Sequence, residues 1–260
     1  MTDTERESGP ETEPTAEFET VTEIGPESPT LIEGLPGHGL VASIAVEQIR
    51  QQLGLTHHGN IISEEFPSVV TFEDGLVRDP VRVYAGTDPA VMTLQSDLAL
   101  PQSSFEALSE CVLEELSPEF DRAIFLAGAQ ADEEKQIGEV VGVATTDGLK
   151  AELTEAGITV AEDPGVVGGV TGALMQACYH EDVPAVVLIV KAHPYLPDPA
   201  AARSVIENAL EPLVEFDIDT TELKDQADEI QRRLRQIAQQ YEQMSQEKQP
   251  QESKPPGMFQ

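Results

Sequence analysis

Eight consecutive residues, Val183-Pro-Ala-Val-Val-Leu-Ile-Val190, carry no charge and no polar side chain. A strand with one face in water alternates apolar and polar residues, so a run that is apolar throughout must be covered on both faces. Such a strand belongs at the centre of a sheet sandwiched by helices, which restricts the chain to an α/β layer architecture. The surrounding segments agree. Thr30-Leu31-Ile32-Glu33-Gly34 is a short strand that runs through Leu35-Pro36-Gly37-His38-Gly39 into a helix from Leu40 to about Leu53, which is the opening of a βαβ unit. Gly59 to Leu94 is a meander of β-branched segments, with turns at Asp74-Gly75 and Thr87-Asp88-Pro89. Beyond it, helices at Ser103–Leu116, Asp147–Ala156 and Ala200–Leu213 alternate with strands at Arg122–Gly128, Glu139–Ala144 and Ile158–Val160. A further helix opens from the glycine-rich run Gly165–Gly172. The expected fold is a three-layer α/β domain, one sheet with helices on both faces, over residues 30–217.

Two segments flank it. Residues 1–29 are rich in Glu, Thr, Ser and Pro, and with so little apolar content they read as a disordered acidic tail. At the other end, residues 218–246 form a long C-terminal helix. Its apolar positions Leu223, Ala227, Ile230, Leu234, Ile237, Tyr241 and Met244 are spaced alternately four and three apart. That is the a/d spacing of a heptad repeat, a single apolar stripe suited to self-association. Asp219, Thr220 and Thr221 supply capping oxygens at its start. Arg232, Arg233 and Arg235 form the one cationic cluster visible along the sequence and suit acidic neighbours on a second subunit. Residues 247–260 are polar and Pro-containing, a flexible tail that finishes on Met258-Phe259-Gln260.

Charge narrows the partners. The chain has 48 Asp and Glu against 15 Lys and Arg, a formal net charge of −33. Self-repulsion of that size opposes a compact state in dilute buffer. At molar salt the Debye length falls to about 3 Å and the repulsion is screened, which points to a halophilic cytoplasm. The same charge excludes nucleic acid and anionic membrane as partners. No run of apolar residues is long enough to span a bilayer, and the two cysteines, Cys111 and Cys178, are too few for a disulfide framework or a thiolate metal site.

Catalytic signals are weak. The Gly34, Gly37, His38, Gly39 loop precedes a helix N-terminus, where an anion or ligand can be held, but it matches neither the dinucleotide fingerprint nor a P-loop. More often such a loop is a tight turn that needs glycine for positive φ and close packing. His38, Asp97, Asp163 and His193 fall at strand ends or beside glycine, yet none has a partner at a catalytic spacing. Asp132-Glu133-Glu134 and His57-His58 read as solvated surface, and the two cysteines as core. No catalytic residue, metal or cofactor is assigned. The alternative reading is an enzyme with phosphorylase-like or nucleotide-dependent activity at the Gly34–Gly39 loop.

The runs LIEGLPGHGLVAS, GVVGGVTGALMQAC and VPAVVLIVKAHPYLPDPAAA together resemble the proteasome assembly chaperone family in its archaeal branch. The resemblance implies a phosphorylase-like α/β fold, a homo-oligomer and no established enzymatic site. It also gives the last three residues a meaning, because proteasome-binding relatives end in a hydrophobic residue, a tyrosine and any residue. Met258 fills the first place, Phe259 stands where tyrosine is usual, and Gln260 is the free last residue. In such tails the terminal carboxylate pairs with a lysine in a pocket of the α-ring of the core proteasome, and the aromatic packs beside it. The expected function is therefore a non-catalytic, cytoplasmic chaperone or adaptor of the core proteasome.

Overall fold

The computed structural model describes residues 16–131 and 133–247. Met258, Phe259, Gln260 and Asp132 lie outside the described residues, as do the side chains of Leu234, Ile237 and Tyr241.

The strands and helices, in chain order, are β1 (Ala16–Thr20), β2 (Thr30–Gly34), α1 (Val41–Gln52), β3 (Thr56–Ser63), β4 (Thr71–Glu73), β5 (Leu76–Arg78), β6 (Val81–Thr87), β7 (Ala90–Ser96) and α2 (Phe105–Cys111). Then follow β8 (Arg122–Gln130), β9 (Val140–Ala144), α3 (Asp147–Glu155), β10 (Thr159–Val160), α4 (Gly169–His180), β11 (Ala185–Ala192), α5 (Pro199–Val205), α6 (Glu211–Val214) and α7 (Thr221–Glu247). Nine strands form one sheet in the order β1-β3-β6-β7-β2-β8-β11-β9-β10, and β4 and β5 pair only with each other. One apolar core, containing Ile32, Ile49, Leu188 and Leu210, covers one face under α1, α3, α5 and α6. A second, containing Leu31, Phe125, Val187 and Leu174, covers the other under α2 and α4. Consecutive residues of β2 and β11 enter opposite cores, so the apolar residues of a central strand run on without the alternation of a half-exposed one. The layered α/β architecture read from the sequence is the one observed.

Two details differ from expectation. The apolar run at 183–190 gives β11, an interior strand parallel to β8 and antiparallel to β9, but the middle of the nine-stranded sheet is β2, all five residues of which are buried. Order also begins earlier than Thr30. Residues 16–20 form an edge strand antiparallel to β3, with Ala16 buried and the Phe18 ring 5.3 Å from the His58 ring. The Phe18 amide donates to Glu115 Oε2 at 3.0 Å, which closes part of the exposed edge. Polar composition hides such a strand, because only alternate residues of an edge need be apolar.

The long helix is rooted in the domain. Asp219 Oδ1 accepts from the Thr221 amide at 2.9 Å, and Gln48 of α1 donates to the Asp219 carbonyl at 2.7 Å. Leu223, the first position of the heptad, is buried in the protomer's own core. Ala227 and Ile230 are half-buried, and the described side chains beyond them (Gln231, Arg232, Arg233 and Gln236) are exposed.

Candidate functional site

In open α/β sheets ligands collect at the carboxyl ends of the parallel strands, where neighbouring connections diverge. Here that point lies between β2 and β8. The chain leaving β2 turns toward α1 and β3, whereas the chain leaving β8 runs the other way, past the place of β11, to β9. The Gly34–Gly39 loop sits on it.

The loop is packed down rather than open. A Cβ on Gly34 would lie 2.6 Å from Val46 Cβ, and Ser43 Oγ donates to the Gly34 carbonyl at 3.1 Å. Gly39 has φ of 62°, and a Cβ on it would lie 3.0 Å from Ala192 Cβ and 3.3 Å from the His193 carbonyl oxygen, so the position needs both the left-handed conformation and the missing side chain. The Gly39 carbonyl accepts from the Asp198 amide at 2.8 Å, and Asp198 in turn accepts from the His193 and Ala201 amides. His38 lies across Gly128 of β8, where an added Cβ would stand 2.8 Å from His38 Cβ and closer still to its carbonyl oxygen. Gly37 alone has open space around it. Gly128→Ala is expected to lower stability by about 1–3 kcal/mol, because the obstruction is backbone that cannot swing aside; urea unfolding checks this, and an unchanged midpoint would show that the loop is not seated as described.

Beneath the loop, Glu33 is completely buried. Its Oε1 accepts from the Leu35 amide at 2.8 Å, and Oε2 from the Leu126 amide at 3.2 Å and more distantly from Thr171 of α4 at 3.4 Å. The recorded β2–β8 register ends at Ile32–Ile124, so this carboxyl group bridges the place where the two strands part. Burial pushes its pKa up to about 7, against the opposing pull of the three donors.

Asp97, at the end of β7, does join the loop around a cavity of about 470 Å³, but through Pro36 and Leu40 rather than through Gly37, His38 or Gly39. The cavity gathers Arg50, Arg78 and Arg82 with Glu47, Glu73 and Asp97. The arginines of α7 are thus not the one cationic cluster: residues distant in sequence assemble a second, charge-balanced one. Arg82 is buried, with both terminal nitrogens 2.7 Å from the Asp97 oxygens and Nε 3.0 Å from the Tyr84 hydroxyl. Burial would raise the Asp97 pKa, but the hydrogen bonds and charges of Arg82 hold it below the usual carboxylate range. Arg50 pairs with Glu47 and lies 4.8 Å over the Tyr84 ring.

On the other side of the loop, His193 lines an apolar groove of about 380 Å³ with Pro194, Leu196, Pro199, Ala227 and Ile230. Asp163 is exposed and joins neither cavity. His57-His58 is not a surface pair: His58 is buried, with Nδ1 2.8 Å from the Thr22 carbonyl and Nε2 2.9 Å from Glu119. Cys111 and Cys178 are buried, and burial pushes their thiols up to about 12 and 11, leaving them protonated and unreactive. Among the described residues no group of three or more His, Cys, Asp or Glu side chains is placed to hold a metal ion, and no helix is long and apolar enough to cross a membrane.

Comparison with known proteins places this geometry. Residues 31–238 match the model of the PAC2 family. The protein MJ0106 of Methanocaldococcus jannaschii is 29% identical over 216 residues, covering 83% of this chain and 87% of that protein. The crystal structure of Pyrococcus furiosus PbaA, described as an archaeal homolog of proteasome-assembly chaperone, superposes with a TM-score of 0.77 at 24% identity, over 89% of this chain and 95% of that one. Pyrococcus furiosus PbaB, described as an archaeal proteasome activator, gives 0.76 at 21% identity, over 86% and 99%. The structural matches establish the fold, and with the family model running from β2 into α7, over most of the chain, the chain belongs to the PAC2 family.

Proposed function

We propose that this protein is a non-catalytic, self-associating chaperone or adaptor of the core proteasome, working in a high-salt cytoplasm. The observation that carries the reading is that nearly the whole fold is shared with two proteins described as a proteasome-assembly-chaperone homolog and a proteasome activator. The balanced, internally paired charges of the Arg82–Asp97 cavity and the packed Gly34–Gly39 loop fit a scaffold better than a catalyst.

Contact is assigned to Met258, Phe259 and Gln260, which would dock on the α-ring as a terminal carboxylate with an aromatic anchor. One such tail binds weakly, since two side chains leave little surplus over the cost of ordering them. Several tails carried on one assembled body gain effective concentration and hence avidity. The part of the heptad beyond the domain, Leu234, Ile237 and Tyr241, is proposed as the seam that assembles them.

Deleting Met258–Gln260 is expected to weaken association with purified core proteasome at least tenfold while leaving the thermal unfolding midpoint unchanged. Surface capture of the core particle at molar KCl measures it. Equal capture by the truncated protein refutes tail docking.

A further inference from the structure

The cavity of about 470 Å³ around Arg82 and Asp97 holds more polar groups than its own pairings use. Its floor is the α1 face of the sheet, where Arg82 and Tyr84 of β6 and Gln95 of β7 lie, Arg82 and Gln95 being cross-strand partners. One wall is the half-buried stripe Ser43, Glu47 and Arg50, spaced four and three apart on α1. Glu73 and Arg78 of the β4–β5 hairpin form the other.

Arg82 and Asp97 occupy each other, but three groups near them do not have a full set of partners. Gln95 is only 7% exposed, yet its carboxamide makes no hydrogen bond among the described residues. Arg50 gives Nε and Nη2 to Glu47, and Nη1 has no acceptor among the described residues. Glu73 takes Arg78 on Oε2, and its Oε1 has no donor among them. A carboxamide so deeply buried is ordinarily bonded through both its oxygen and its nitrogen, so this one suits a polar group that comes from outside the chain. Arg50 and Glu73 stand on opposite walls. The Arg50 pKa is held above its ordinary value first by the bond to Glu47 and, at longer range, by the charge of Glu73, but Arg50 and Glu73 do not form an ion pair. Three arginines against three carboxylates sum to zero, so a ligand with a net charge leaves an excess, whereas one that carries both signs does not.

The geometry points to a binding site for a free α-amino acid with an aliphatic side chain. The carboxylate accepts from Arg50 Nη1 and the Gln95 carboxamide, and the ammonium donates to Glu73. The side chain lies on Pro36, Leu40 and Leu98, which edge the same cavity and keep apolar surface in the open. The volume is within the roughly 300–1,000 Å³ of small-molecule sites. Its place is the usual one as well, outside the carboxyl ends of the parallel strands β2 and β7. Nothing in this inference depends on tail docking.

Isothermal titration calorimetry of the full chain with L-leucine at 2 M KCl tests it. Two analogues run beside it: 4-methylpentanoate keeps only the carboxylate and side chain, and 3-methylbutylamine only the ammonium and side chain. The expected result is saturable one-to-one binding of L-leucine, with each analogue at least tenfold weaker. Gln95→Leu and Glu73→Gln should each weaken L-leucine binding at least tenfold in protein whose thermal unfolding remains cooperative. In methyl-labelled wild type, which needs no substitution, L-leucine should shift the Leu40 and Leu98 resonances and leave Leu196, in the His193 groove, in place. No saturation by about 10 mM L-leucine, tenfold above a millimolar dissociation constant, overturns the inference. So does 4-methylpentanoate or inorganic phosphate binding as tightly as L-leucine, which would mark an anion site. Full affinity in either folded variant, or a shift at Leu196 in place of Leu40 and Leu98, overturns it too. Core-proteasome capture by the same protein is unaffected in every case.

Discussion

Arg82→Met should destabilise the protein by about 2–4 kcal/mol. The methionine keeps most of the stem's volume, so the loss is in polar partners: both oxygens of Asp97, the Tyr84 hydroxyl and the Asp79 carbonyl all bond to this one guanidinium. Removing one member of a fully buried pair costs about 3–5 kcal/mol, because the other charge is stranded. Asp97 retains 29% side-chain exposure and can be partly rehydrated, which lowers the figure. Adding Asp97→Asn should recover part of the loss, since the stranded charge is then gone. Chemical denaturation of the two single variants and the double measures the coupling. Additive losses would mean that the two groups do not act as a pair.

The second large effect is at Glu33 and depends on pH. Its ordinary value of 4.5 is raised to about 7 in the fold. The folded chain therefore holds a proton that the unfolded chain has released, over the interval between those two values. Stability from this group is fully present below pH 4.5 and is lost as pH rises through 7, by about 3 kcal/mol in all. Glu33→Gln cannot titrate, so the difference in stability between wild type and variant should move against the wild type by about that amount from pH 4.5 to 8. Measuring both at 2 M KCl screens the many surface carboxylates and isolates this one. A constant difference across the range would show that Glu33 is ionised throughout, held so by the Leu35 and Leu126 amides.

These two residues also mark what the sequence conceals. The layered sheet was legible because periodicity and glycine punctuation are local properties: the apolar run at 183–190 and the strand–turn–helix from Thr30 to Leu53 each carry their own evidence. Glu33 reads as the odd residue in a short apolar strand, and nothing local says that it bridges β2 to β8 and α4. The Arg82–Asp97 cluster draws on α1, β4, β5, β6 and the end of β7, elements separated by up to half a hundred residues, and pairings of that kind follow from topology alone. Edge strand β1 was hidden for the opposite reason, since a strand half in water and rich in Glu and Thr looks like a solvating tail. Gly39 shows a partial success. Glycine spacing identified a tight turn, while its close neighbours Ala192 and His193 come from the end of β11, more than 150 residues further on. For the heptad, spacing predicted one continuous stripe, yet Leu223 is spent on the domain's own core and Ala227 and Ile230 are half-buried.

The rooting of α7 has a mechanical consequence. A helix of 27 residues is about 40 Å long, and its first turn is bolted to α1 through Gln48 and to the core through Leu223. The shaft therefore has no swivel at its base, and any rotation of the domain is transmitted to its far end, multiplied by the lever arm. The far end of the shaft is therefore carried wherever the body turns.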